Sequence, residues 1–216
     1  MTTDLGSPEL APHPARPSHT VAEAVFVVTD IEVDGPWPGP NSMRSFASVA
    51  VTAAGDLLGE FEAVLEPLPG AQPHPDTYAW FQTVPGAWAA ATRNPRPAPT
   101  VMAEFAAWVH GLGDTRHFVA SPLGFDGGWI DHYLRRFTSY GVCWGPYEPD
   151  RLFHGPGVCL LSLACGITGG DPATFSVHDL PPAWFGDVAH THQAIDDARG
   201  YAHLLVELLQ RTRAKA

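Results

Sequence analysis

The chain has 216 residues, 45% of them hydrophobic, and a formal net charge of −11 from 23 acids against 12 lysines and arginines. That length suits one domain with or without tails, and no apolar run is long enough to span a membrane. The charge excludes a broadly basic surface that would grip long nucleic acid through its phosphates.

The first stretch, "MTTDLGSPELAPHPARPSHT", lacks the basic and apolar regions of a secretory signal. Its Pro, Ser, Thr and Ala content predicts a disordered tail over residues 1–20, with a single folded domain expected over 21–212. Ala24–Ile31 reads as a strand with Val and Phe throughout, as in a strand covered on both faces. "VDGPWPGPN" is a turn region. Ser45–Val51 and Leu57–Leu65 are two further strands joined through "TAAGD", and "EPLPGAQPHPD" is loop. Helices are expected over Thr77–Trp88 and Thr100–His110, with the Pro-rich Asn94–Pro99 as a loop between them. "RHFVASPLGFD" is a fourth strand running into a turn, and Trp129, Ile130, Tyr133, Leu134 and Phe137 mark an amphipathic helix after it. "GVCLLSLACGI" fits strand or helix. Ile195, Ala198, Ala202, Leu205 and Leu209 form the stripe of a last helix. Strands first, then mixed strands and helices, imply an α/β fold on a mixed sheet.

Three cysteines, Cys143, Cys159 and Cys165, contain no CxxC pair. This argues against a disulfide framework or a cysteine-rich zinc site, and for buried, reduced thiols in a cytoplasmic protein.

The first strand ends in Asp30 and Glu32, two apart and therefore on one face. Like charges so placed repel unless something positive sits between them. Asp126 lies between the fourth strand and a helix, where it is either an N-cap or a third acid delivered to the same sheet edge, where ligands of α/β sheets gather. In "HTHQAIDDA", His190 and His192 are either surface histidines or an HxH pair for zinc that lacks a third ligand nearby. Asp196 and Asp197 open the last helix, where the macrodipole favours acids in any case.

In order, the chain gives Asp30-x-Glu32 after a first strand, Asp126 after a later one, and His192 with Asp197 five residues on. This set resembles the DEDDh exonucleases, the superfamily of ribonuclease T, oligoribonuclease and proofreading exonuclease domains. "TDIE", "GFDGGWIDHYL" and "HQAIDDA" are similar to its three motifs, and the resemblance spans roughly Val25–Leu209. It implies a ribonuclease-H-like fold, a five-stranded mixed sheet flanked by helices. It also implies a metal-dependent 3′–5′ exonuclease releasing nucleoside 5′-monophosphates.

In that resemblance Asp30, Glu32, Asp126 and Asp197 hold two divalent cations, Mg²⁺ or Mn²⁺, as all-carboxylate ligation suits hard ions. His192 is the general base, its pKa expected near the ordinary histidine value. His192 belongs to the loop before the helix, because residues five apart do not share a helical face; Asp196, four residues on, is the fallback for Asp197. Trp37, Trp80, Phe81 and Trp129 are the candidates for stacking bases, although such residues are more often core, the reading preferred at Trp129. The sequence departs from the family at Val33, where many relatives have Thr or Ser, and in the longer Pro-rich turn that follows.

The acidic balance favours short single-stranded substrates, RNA before DNA. A DNA-directed proofreading or repair exonuclease, a catalytically silent nucleic-acid-binding relative and an unrelated zinc hydrolase are the alternatives. A homodimer is a further expectation from the short-RNA branch of the family.

Overall fold

The nine-residue stretch VFVVTDIEV, mostly valine, phenylalanine and isoleucine with two acids near its end, forms the middle of the sheet. In the computed structural model, which describes residues 24–145 and 150–215, it is strand β1, Val25–Val33. The expected tail, residues 1–20, lies outside the described residues. Strand β2, Met43–Thr52, and β3, Leu57–Val64, follow as an antiparallel meander, with Thr52 and Asp56 bonded across the turn and Gly55 at φ +98. That positive φ is one that glycine adopts without strain.

Helices α1, Pro75–Thr83, and α2, Ala87–Thr92, replace the single helix expected over Thr77–Trp88. The break falls at Val84-Pro85-Gly86. Val84 is extended, as a residue before proline must be, and Gly86 is left-handed. Helix α3, Ala98–His110, starts two residues before the expected position. Proline is tolerated in a first helical turn, so Pro99 joins the helix from the Pro-rich loop.

Strand β4, Arg116–Ala120, leads through a π-helical turn, Leu123–Gly127, into α4, Gly128–Phe137. The ambiguous "GVCLLSLACGI" is both elements in turn: β5, Val158–Cys159, and α5, Leu160–Thr168. Helix α6, Ala194–Lys215, closes the described fold.

The sheet order is β3-β2-β1-β4-β5, antiparallel between β1, β2 and β3 and parallel across β1, β4 and β5. This is the five-stranded mixed sheet of a ribonuclease-H-like fold.

Alternation along β1 divides the core. Val27 and Ile31 point into a cluster with Phe46, Phe105, Phe118, Trp129 and Tyr133 under α3 and α4. Phe26 and Val28 point into a second cluster with Val49, Val119, Leu160, Ala198, Tyr201 and Leu205 under α5 and α6. With period two, Asp30 and Glu32 continue the second face. Both acids therefore end up on the side of the sheet that α6 covers.

One expectation for the cysteines fails. Cys165 is buried, but Cys159 is half-buried and Cys143 exposed, because Cys143 falls after α4 in a surface loop and not within a packed element.

Candidate active site

Three elements converge at the carboxyl end of β1. Asp30 and Glu32 come from β1 itself, Asp126 from the π-helical turn after β4, and Asp197 from the first turn of α6. Oxygens of Asp30, Glu32 and Asp197 lie within 4.8 Å of one another. Two ionised carboxylates that close repel by at least about 3 kcal/mol at an effective dielectric near 20.

Their protons respond accordingly. Asp30 is raised well above the usual carboxylate range, first by burial and then by Asp126, Glu32 and Asp197. Glu32 is pushed up to about 8 by burial, then by Asp197 and Asp126. Burial lifts Asp126 to about 7 against an opposing backbone hydrogen bond from Ser121. Among the described residues, no arginine or lysine contributes to these shifts.

Asp126 is not an N-cap. It is buried at 5% exposure, no side chain caps α4, and its Oδ2 has no hydrogen-bond partner among the described residues. A buried carboxylate oxygen without a partner costs on the order of 1–3 kcal/mol or more. A divalent cation fits these observations: several hard oxygen donors, mutual repulsion, and one oxygen left unsatisfied.

The two consecutive acids of α6 separate. Asp197 is buried, and its Oδ1 accepts from His190 Nδ1 at 2.8 Å and from the Thr191 amide at 3.1 Å. Asp196 turns away, accepting from Thr191 Oγ1 at 2.8 Å and facing Arg199 at 3.5 Å.

His192 lies in the loop just before α6, in the left-handed region at φ +55. Its ring stands 4.3 Å from that of His190 and edge-on to Trp80 at 5.1 Å, centroid to centroid. Its pKa is not at the ordinary value. Burial lowers it first and the neighbouring His190 adds to that, whereas His190 is raised by its hydrogen bond to Asp197.

No family model matches the sequence, and no curated protein does. Among solved structures, the chain is similar to E. coli exonuclease I in complex with a dT13 oligonucleotide. The TM-score is 0.62, with 18% identity, covering 89% of this chain and 42% of that one. It is also similar to the nuclease domain of 3′hExo, a DEDDh family member bound to rAMP. There the TM-score is 0.58, with 11% identity, covering 87% of this chain and 91% of that one. The chain shares the ribonuclease-H-like fold of these two structures. It spans about two fifths of the length of exonuclease I.

Within that fold, two residues beside the acids escape the sequence motifs. His190 holds Asp197, and only the fold reveals the contact. Tyr201 lies one turn beyond Asp197 on α6, so spacing alone carried the signal. It is buried, and its hydroxyl is raised by burial, then by Asp30, Asp197 and Asp126, while sharing a hydrogen bond with the Ser121 side chain. Of the four stacking candidates, Phe81 and Trp129 are core at 2% exposure, while Trp37 and Trp80 are exposed.

Proposed function

We propose that this chain is a metal-dependent 3′–5′ exonuclease acting on short single-stranded nucleic acid, RNA before DNA, and releasing nucleoside 5′-monophosphates. The observation that carries this is the acid cluster: three carboxylates within 4.8 Å, a fourth with a buried unpartnered oxygen, and no arginine or lysine among the described residues opposing the rise of Asp30 and Glu32. Asp30, Glu32, Asp126 and Asp197 would hold the divalent cations, two of them, Mg²⁺ or Mn²⁺. Such ions supply charge stabilisation at the attacking and leaving oxygens of a phosphodiester displacement.

The chain's own groups do the rest. His192, kept neutral by its lowered pKa, takes the proton from the attacking water. His190 and the Thr191 amide fix Asp197. Trp80, exposed and beside His192, offers an aromatic ring on which the terminal base can stack.

Charge supports a short substrate. Arg44, Arg96, Arg135, Arg199 and Arg211 are each tied to an acid of the chain, which limits the cations left for a phosphate track. Cytoplasmic residence and a homodimer belong to the same proposal, and the described residues contain no helix long and apolar enough to cross a membrane.

A DNA-directed exonuclease is the second reading, because exonuclease I was solved with a DNA oligonucleotide and 3′hExo with a ribonucleotide. A time course with short 5′-labelled RNA and its DNA equivalent, in Mn²⁺ and in EDTA, tests both. A metal-dependent ladder shrinking from the 3′ end supports the proposal, and the RNA/DNA ratio chooses the substrate. Cleavage that survives EDTA, or none with metal bound, overturns it.

A further inference from the structure

Asp197 belongs to two groups of metal-binding atoms. One is the all-carboxylate group with Asp30 and Glu32. In the other, nitrogens of His190 and His192 and an oxygen of Asp197 also lie within 4.8 Å of one another. Across a tetrahedral zinc site, with metal–ligand bonds of about 2.0–2.1 Å, neighbouring donors sit roughly 3.3 Å apart. His190 Nδ1 and Asp197 Oδ1 are 2.8 Å apart, about half an ångström inside this spacing, and a donor atom from each of the three residues lies within 4.8 Å of the others, at most about 1.5 Å beyond it.

Both histidines lie on an irregular segment between Gly186 and α6, where rotamer adjustment of that size is inexpensive. His178 stands next in line, its ring 5.1 Å from that of His190. A cavity of about 210 Å³ bordered by His178, His190, Asp197 and Tyr201 leaves room for a fourth ligand or a water.

We propose that His190, His192 and Asp197 form a second, inhibitory site for a borderline transition metal, with zinc as the fitting ion. The donor set decides which metal. Two imidazoles and one carboxylate favour zinc over magnesium, whereas the neighbouring carboxylates favour the hard ions. Because Asp197 is shared, the two sites compete. Zinc occupies the space of the proton between His190 and Asp197, withdraws Asp197 from the acid cluster, and takes the lone pair that His192 needs as a base. The competition rests on the exonuclease proposal; the zinc site does not.

The test measures metal binding apart from activity. Zn²⁺ is titrated into the full chain in excess Mg²⁺, and Co²⁺ is used as a visible-absorption probe of imidazole ligation. One equivalent is expected to bind, with Co²⁺ giving the intense bands of a four-coordinate site. His190→Ala and His190→Gln are both expected to weaken zinc by about tenfold or more, the glutamine variant keeping an N–H for Asp197. Asp30→Asn is expected to keep the site.

Inhibition of Mg²⁺-dependent cleavage by zinc should have the same midpoint as binding and shift by the same factor in His190→Gln, each protein compared with its own zinc-free rate. Zinc affinity unchanged in both His190 variants, or lost in Asp30→Asn, overturns the site. Stoichiometric zinc with undiminished cleavage overturns the competition. Should the chain cleave neither RNA nor DNA, the binding titration still decides the site.

Discussion

Removing one carboxylate from the cluster should stabilise the metal-free protein, and Glu32→Gln measures this best. Glu32 is 7% exposed and its folded pKa is about 8, against an ordinary value of 4.5. Between those values the native state keeps a proton that the unfolded chain releases, so stability is full below about 4.5 and is lost as pH rises towards 8. At pH 7 the loss is about 3 kcal/mol, from roughly 2.5 pH units at 1.36 kcal/mol each. Glutamine matches the protonated side chain in shape and carries no such penalty. Repulsion shared with Asp30 and Asp197 is redistributed, so a net gain of about 2 kcal/mol is expected at pH 7, near zero at pH 4. Urea unfolding in EDTA across this range would show the midpoint of the variant above wild type by about 1 M at pH 7, given an m-value near 2 kcal/mol/M. With saturating Mn²⁺ the order should reverse, because wild type gains more from binding. A variant less stable than wild type in EDTA at pH 7, or equal stabilisation of both by Mn²⁺, would refute the reasoning.

Asp30→Asn should keep the fold by circular dichroism and lower cleavage about a hundredfold or more, the scale of losing one preorganised electrostatic partner. Unfolding or full activity would count against its role. His192→Ala should slow cleavage about 10²–10⁴-fold while leaving Mn²⁺ binding by calorimetry largely intact; lost binding would make His192 a ligand of the carboxylate-bound ions. Trp80→Ala should raise KM with the smaller effect on kcat if the ring stacks a base, by about 1–3 kcal/mol, whereas a pure kcat loss would mean it only props His192. Tyr133→Phe removes the acceptor that the buried Met43 amide donates to at 2.9 Å, so thermal unfolding should report a loss of about 1–3 kcal/mol.

Hydrophobic pattern made much of this fold legible. The β1 run, the α4 group from Trp129 to Phe137 and the α6 stripe each form at the expected place. What pattern missed was local backbone chemistry. "AWFQTVPGAW" carries apolar residues at helical spacing, yet Pro85 removes an amide and forces Val84 out of the helical region. Asp126 could be read two ways because a π-helical turn, which has no sequence period, decides where its side chain goes. Helical spacing did place His192 outside α6, where it lies. The lowered pKa of His192 was not legible, since it depends on burial and on His190 beside it. His190 read only as a surface histidine or half of an HxH pair until the fold set it on Asp197.

The distribution of charge supports the proposed cation site. An acidic chain could scatter its surplus over the surface at little cost, since exposed charges are screened within about 10 Å at moderate salt. Here, instead, several of the surface acids are matched to arginines: Asp131 to Arg135, Glu104 to Arg96, Glu60 to Arg199 and Glu207 to Arg211. Among the described residues the acids at the end of β1 have no arginine partner, and they sit where burial makes repulsion costly. Apart from Asp34, which faces Arg44, the buried acids lack an arginine partner among the described residues, an arrangement that a bound cation would relieve. The strand that carries Asp30 and Glu32 is also the wall shared by both halves of the core. An ion held at its end, as proposed above, would therefore bear on a strand packed on both faces.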